Sequence, residues 1–331
     1  MVDMNDVFFS IILPVYNAQT FIETTITNVL SQSYPNFELI VVDDGSTDDS
    51  WKICKTFSQK DKRVKAFQKQ NGGAGSARNY ALEKASGNYV VFCDADDEVK
   101  DGWLQAFADK ISPYVDVVVA GFIYRTNCME SYRLSVDVSL LTPRKLAEKL
   151  SADSTFGYLW NKCFRTDVIQ RFHIRFDENA RFLEDEDFIG NFWRHIKTVS
   201  VSNATEYVYD VPDYDKKYKG LDNYGIYVKM LKYTKDYIPV SEKSEMLRKY
   251  TMGCFRCMLL SFQQHDYVEG WKRLRDFVSY GKYYRGHNKY MRIITLKNYV
   301  FWFPLLIMYT LIKNSDDVFD SICRKSLLAF V

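Results

Sequence analysis

The chain has no uninterrupted apolar run long enough to cross a bilayer. Its most hydrophobic stretch, 299–312, contains Pro304 and falls short of the roughly 20 residues a spanning helix needs. Cysteine pairs at zinc-site spacing are also missing. The seven cysteines, at 54, 93, 128, 163, 254, 257 and 323, are odd in number, and several lie in apolar runs where a thiol behaves as a small hydrophobe. Cys254-Phe255-Arg256-Cys257 stands alone in a helical pattern and reads as packing, and the whole set fits a reducing compartment. Neither end carries a Lys- or Arg-rich arm, and a net charge of +2 argues against a strongly basic nucleic-acid binder, so no nucleic-acid partner is expected. Residues 1–6 lack a basic n-region and a long apolar core, which predicts no signal peptide and a cytoplasmic location. No Gly-Lys-Ser/Thr follows Gly72-Gly73-Ala74-Gly75, which excludes a Walker loop. No glycine-rich turn follows the first strand, which excludes the dinucleotide fingerprint. Internal repeats and low-complexity segments are absent from the sequence.

What is present is ordinary in charge and rich in rings. Aromatics make up 16% of the chain, enough to supply an apolar core together with carbohydrate- or membrane-facing surfaces. The first part alternates strand and helix patterns. Phe8 to Leu13, Phe37 to Val42, Arg63 to Phe67 and Tyr89 to Phe92 read as strands. Thr20-Phe21-Ile22-Glu23 reads as a capping box opening the first helix, and Gly87 as the C-cap of a small-residue helix from about 76 to 85. A further strand is expected over Asp116 to Phe122 and a helix over Pro143 to Leu150. Such a β–α alternation predicts an α/β fold with a doubly wound, mostly parallel sheet over 1–215. After Tyr214 the composition shifts, and 216–331 reads as a helical C-terminal region.

Polar groups collect where the strands end. The first strand closes in Pro14-Val15-Tyr16-Asn17, the second in Asp43-Asp44-Gly45-Ser46, and the fourth in Asp94-Ala95-Asp96-Asp97. In a parallel sheet all three share one edge, the edge at which open α/β sheets bind ligands. Three carboxylates at one strand end repel unless a cation or donor offsets them, and a divalent metal holding a phosphate-bearing substrate is a natural partner. The blander reading of each is a turn, a helix cap or a solvated acidic loop. An Asp such as Asp43 can accept from a ring N–H of a base, the Gly72–Gly75 loop lets backbone come close to a ligand, and Arg78 can reach a phosphate or a carboxylate.

These segments, with Ala77-Arg78-Asn79, resemble the family 2 inverting glycosyltransferases of the GT-A fold over residues 8 to about 105. More thinly, Leu159-Trp160-Asn161-Lys162-Cys163-Phe164-Arg165 and Leu183-Glu184-Asp185-Glu186-Asp187-Phe188 are similar to bacterial members that build capsular, exopolysaccharide or O-antigen repeat units. The resemblance implies that Val15 backbone and Asp43 hold the base of a nucleotide sugar, with Pro14, Asn17, Asp44 and Arg78 in the same donor site. It implies that Asp94 and Asp96 form the DxD pair on Mg²⁺ or Mn²⁺, Asp96 most directly. In the Glu184-Asp185 motif, Asp185 would be the general base, with Asp187 as its rival in register, and Trp160 would either stack on a sugar or pack as core. The implied activity is metal-dependent transfer of a single sugar, with inversion, to a hydroxyl of an acceptor glycan, plausibly polyprenyl-diphosphate-linked. No Gln-x-x-Arg-Trp segment follows the acidic motif, which sets the chain apart from processive synthases.

Two other readings stand beside it. A sugar-phosphate nucleotidyltransferase would carry a glycine-rich, Lys/Arg-bearing loop after the first strand, which Pro14-Val15-Tyr16-Asn17 does not match. A catalytically silent sugar- or partner-binding module has no need of acids at both the metal and base positions. The 299–312 run, edged by Lys289, Arg292, Lys297 and Lys313, suits either an interfacial helix peripheral to the inner face of the cell membrane or a core helix.

Overall fold

In the computed structural model, the described residues are 7–125, 129–132, 142–153, 155–180, 183–210 and 267–281, with scattered helical residues between 224 and 266. The chain divides into two compact units, one of 1–217 with 236–239, the other of 218–235 with 240–331. The expected 299–312 helix lies outside the described residues.

The first unit is built on a seven-stranded sheet. Its strands are β1 (Phe9–Val15), β2 (Phe37–Asp43), β3 (Val64–Gln68), β4 (Tyr89–Phe92), β6 (Val117–Ala120), β9 (Lys162–Arg165) and β10 (Val199–Ser202), in the order β10-β6-β9-β4-β1-β2-β3. The helices α1 (Ile22–Leu30), α2 (Ser50–Lys60) and α3 (Ala74–Lys84) connect the first four strands. Strands β2 and β4 are buried along their whole length, as expected of strands covered on both faces. All neighbours pair in parallel except β9, which runs antiparallel to both β4 and β6. After β3 the chain returns to the other side of β1 to lay down β4, so the strand order reverses at β1. A crevice at the carboxyl ends of β1 and β4 follows from that reversal.

A smaller sheet, ordered β5-β11-β7-β8, joins β5 (Glu98–Val99), β7 (Phe122–Arg125), β8 (Met129–Tyr132) and β11 (Tyr207–Asp210). The strand expected over Asp116 to Phe122 is therefore two strands, one in each sheet, meeting at Gly121. A Cβ at Gly121 would lie 2.6 Å from the Tyr132 carbonyl oxygen, so only glycine lets the chain pass between the sheets there. Four further helices lie among the described residues of this unit: α4 (Trp103–Ala108), α5 (Pro143–Ala152), α6 (Thr166–Arg171) and α7 (Glu184–Trp193). Helix α5 begins as its sequence dictates, with Thr142 accepting from the Lys145 N–H and Pro143 in the first turn.

Two expected caps are replaced by other devices. Helix α1 starts one residue later than the capping box implies, with Phe21 at the N-cap and no side-chain cap; the Phe21 and Ile22 N–H groups instead donate to the Ala18 carbonyl. Gly87 does not cap α3. It packs against β1, where an added Cβ would lie 2.5 Å from the Ser10 nitrogen, and its own N–H donates to Ser10 Oγ at 2.8 Å.

In the second unit a helix spans Tyr267–Gly281. Its buried Arg273 donates to the Cys257 carbonyl at 3.1 Å and lies over the Tyr224 ring. Cys254 and Cys257 are buried, as packing residues are. No helix among the described residues is long and apolar enough to cross a membrane.

Candidate active site

The carboxyl ends of β1, β2 and β4 lie side by side, with Val15 in register with Asp43 and Ile12 with Phe92. Pro14 sits beyond the last β1–β4 rung, where its missing N–H leaves no ladder bond unmade. The Val15 carbonyl accepts from the Asp44 N–H at 2.8 Å. Asp43 is wholly buried. Its Oδ2 accepts from the Ser46 N–H at 3.2 Å and from Gln68 Nε2 at 3.0 Å. Its Oδ1 is buried with no hydrogen-bond partner among the described residues. An unmet carboxylate oxygen at a ligand-facing strand end is costly unless something donates to it.

Two residues expected to touch the donor are engaged in building the site. Asn17, in left-handed backbone at φ 49°, accepts from the Thr47 N–H at 2.9 Å while its own N–H donates to Ser46 Oγ at 2.9 Å. Gln19 makes the same two-way link, donating to Asp48 at 3.1 Å and accepting from the Asp49 N–H at 3.0 Å. Together they lace the loop after β1 to the loop after β2. Asp44 is buried and accepts from Lys69 Nζ at 2.8 Å, the Gly72 N–H at 3.0 Å and the Gly73 N–H at 2.7 Å. Its role is to shape the glycine loop, in which Gly73 takes φ 88° with open space around it.

The acids after β4 are sorted into different environments. Asp96 is exposed. Asp94 is partly open and pairs with Arg78 Nη2 at 2.9 Å. Asp97 is buried and accepts from the Tyr207 hydroxyl at 2.6 Å. Like-charge repulsion is thereby eased at Asp94 by the Arg78 guanidinium and at Asp97 by the Tyr207 phenol.

Arg78 then reaches across to α7. Its Nη1 lies 2.7 Å from Asp185 Oδ1 and 3.6 Å from Glu184, and its plane covers the Phe176 ring. Helix α7 is held by Phe188, which stacks on Phe176 at 4.3 Å and meets Phe92 and Phe164 edge-on. That docking turns Glu184 and Asp185 toward Arg78 and buries Glu186 and Asp187. Asp185 keeps 32% of its side chain open, whereas Asp187 is 2% exposed. Burial of its carboxyl, together with Glu184 and Asp94, pushes Asp185 well above the usual carboxylate range against the pull of Arg78. Burial disfavours charge on Arg78, but Asp185, Asp94 and Glu184 outweigh it and keep the guanidinium charged.

Trp160 is not available to a sugar. It is 4% exposed and lies against Tyr207 at 4.7 Å and 5°, with Tyr158 and Tyr209 also stacked on it. Its bulk is spent joining the two sheets, so the sugar-stacking expectation is corrected.

Among the described residues no three His, Cys, Asp or Glu side chains gather as a metal cage. The exposed Asp96 beside the partly open Asp94 instead suits a hard cation that takes one or two carboxylates and completes its shell with phosphates and water.

Residues 10–172 match the family model described as Glycosyl transferase family 2. Over those residues the chain is similar to family 2 glycosyltransferases. Similar proteins include the uncharacterized glycosyltransferase EpsJ of Bacillus subtilis, 31% identical over 206 residues that cover 60% of each chain. The minor teichoic acid biosynthesis protein GgaB of the same organism is 30% identical over 61% of this chain and 23% of its own. The chain thus spans less than two thirds of the length of these curated relatives. Among solved structures, S. aureus TarS 1–349 in complex with UDP has a TM-score of 0.63 at 22% identity, covering 88% of this chain and 89% of that one. A mannosyltransferase from Pyrobaculum calidifontis, in complex with GDP-Man and Mn²⁺, has a TM-score of 0.51 at 15% identity and covers 94% of this chain and 88% of that one. The fold is GT-A, an α/β architecture with a mostly parallel central sheet.

Several residues around the candidate site carry no sequence signal. Tyr207 sits on a strand whose Tyr207-Val208-Tyr209 alternation marks it as β but not as part of a site. Thr25 donates to the Ala95 carbonyl at 2.8 Å from a helix read in the sequence only for its capping box. Glu178 accepts from Ser76 Oγ and from Asn79 Nδ2, each at 2.9 Å, tying the approach to α7 onto α3.

Proposed function

We propose that this chain transfers one sugar from a nucleoside-diphosphate sugar to a hydroxyl of an acceptor glycan, with inversion, in bacterial surface polysaccharide synthesis. The observation that carries this reading is the Arg78 bridge. One buried guanidinium holds Asp94, at the leaving-group edge, and Asp185, at the acceptor side, at 2.9 and 2.7 Å. Single displacement needs those two functions on opposite sides of one anomeric carbon, within the span of a sugar.

Each residue then has a task. Asp43 Oδ1 takes a base N–H, and the Val15 strand end walls the base. Asp96, with Asp94 beside it, would hold Mg²⁺ or Mn²⁺. When bound, such a cation stabilises charge on the departing nucleoside diphosphate as a Lewis acid. Asp185 accepts the proton of the acceptor hydroxyl, and a carboxyl raised above its usual range suits that work. Asp187, being buried, is the weaker candidate. For the acceptor we propose a glycan carried on a polyprenyl diphosphate, with the region from 216 peripheral to the inner face of the membrane.

A thermal-shift screen of nucleoside diphosphates and nucleotide sugars, with and without Mn²⁺, tests the reading. A ligand at a hundredfold excess over Kd stabilises by about 2.7 kcal/mol, a shift of several degrees. In Asp96→Ala the Mn²⁺-dependent part of the shift should vanish. A screen in which no nucleotide moves the melting temperature of the wild-type protein sinks the proposal.

A further inference from the structure

We propose that Tyr207, on the second sheet, is a positioning residue that sets the shape of the Asp94–Asp97 turn and thereby the place of Asp96. The inference rests on the glycosyltransferase reading above and extends it to a residue outside every motif. The phenol oxygen uses both of its hydrogen-bonding capacities on this turn: it accepts from the Asp94 N–H at 3.1 Å and donates to Asp97 Oδ2 at 2.6 Å. It therefore clamps the turn at its first and fourth residues. The strand that leaves the turn is tied to the same element, since Val99 of β5 is in register with Tyr207 of β11. From the other side Thr25 donates to the Ala95 carbonyl at 2.8 Å. Asp96, exposed, is thus held between fixed neighbours.

Tyr207 is itself immobilised. It is 1% exposed, stacks on Trp160 at 4.7 Å and 5°, and leans on Trp103 at 5.8 Å. Trp160 stands on the segment that enters β9, the one antiparallel strand of the main sheet. The aromatic column thus connects the second sheet to the metal-side turn and gives Trp160 the task of backing Tyr207. A merely space-filling ring would need no hydroxyl at this spot, and a buried hydroxyl is worth keeping only where it is bonded.

The test is titration calorimetry of UDP against wild type and Tyr207→Phe, each with and without Mn²⁺, together with melting curves. Removing the phenol oxygen, and with it both bonds to the turn, while keeping the ring should cut the Mn²⁺-dependent gain in UDP affinity by about tenfold and leave Mn²⁺-free UDP binding within about twofold. Asp97→Ala should reduce the same gain, and the double variant should lose little more than Tyr207→Phe alone, because both remove the Tyr207–Asp97 bond. A Tyr207→Phe protein with a lower melting temperature but an unchanged Mn²⁺-dependent gain overturns the inference, since that is what a structural role alone produces. Wild type that binds UDP equally with and without Mn²⁺ overturns it together with the metal assignment.

Discussion

At Asp185 two opposing fields meet. Burial and the carboxylates of Glu184 and Asp94 favour its protonated form, while Arg78 at 2.7 Å favours the charged form. Its position in the first turn of α7 also exposes it to the positive helix end. The balance leaves a carboxylate that is partly open and basic for its kind, whereas Asp187, two residues on, is enclosed. Asp185→Asn should therefore leave nucleotide affinity unchanged while kcat falls about 10²–10⁴-fold. Asp187→Asn should lower the melting temperature with a much smaller loss of turnover. The reverse pattern, measured by steady-state kinetics and calorimetry on both variants, moves the base to Asp187. The carboxylates at 43, 44, 94, 96, 97 and 185 were all visible in the sequence as candidates. Their division of labour was not, because it depends on which partner each meets: Lys69 and two glycine N–H groups for Asp44, Tyr207 for Asp97, Arg78 for Asp94 and Asp185.

Among the elements, β1, β2, β4 and α7 carry the site, and they are placed by contacts far from it. Gly87 is such a contact. It lies at the amino end of β4, opposite the edge that carries the candidate site, with β1 backbone pressed against it. A methyl group there would meet the Ser10 nitrogen at 2.5 Å and the Phe8 oxygen at 2.7 Å, and neither can yield without shifting the ladder. Gly87→Ala should cost about 1–3 kcal/mol of stability, read as a lower melting temperature, while the folded fraction binds nucleotide normally. A Gly87→Ala protein that melts at the wild-type temperature contradicts the close approach. Most elements were legible beforehand, because strand and helix periods are local. The exceptions are instructive: Gly87 looks like a helix cap until β1 is seen beside it, and Asp116 to Phe122 looks like one strand until the sheets part at Gly121.

At the scale of the molecule, Glu38 is a cross-link through the sheet. Its carboxylate is buried, accepting from Ser10 Oγ at 2.6 Å, from the Ser86 N–H and Oγ at 2.8 Å each, and from Lys65 Nζ at 2.5 Å. It thus joins β1, β2, β3 and the segment before β4. Burial pushes its pKa up, but Lys65, Ser10 and Ser86 together outweigh that and hold it below the ordinary value. A group depressed on folding contributes stability above its unfolded value, near 4.3, and loses that contribution as pH falls through the lower folded value. Wild type should therefore lose stability below about pH 4.3, and Glu38→Gln should be less stable at neutral pH with a flatter acid limb in denaturant titrations. Parallel acid limbs in the two proteins would exclude Glu38 as a source. By itself the sequence determined the alternation of strands and helices, the shared edge at Asp43 and Asp94–Asp97, and the acidic start of α7, because hydrophobic period and short motifs are properties of neighbours along the chain. The tertiary structure alone decided that β9 runs antiparallel, that Trp160 faces Tyr207, and that Arg78 spans Asp94 and Asp185. Those are meetings between residues tens of positions apart, and only packing chooses among the partners a buried ring or charge could take.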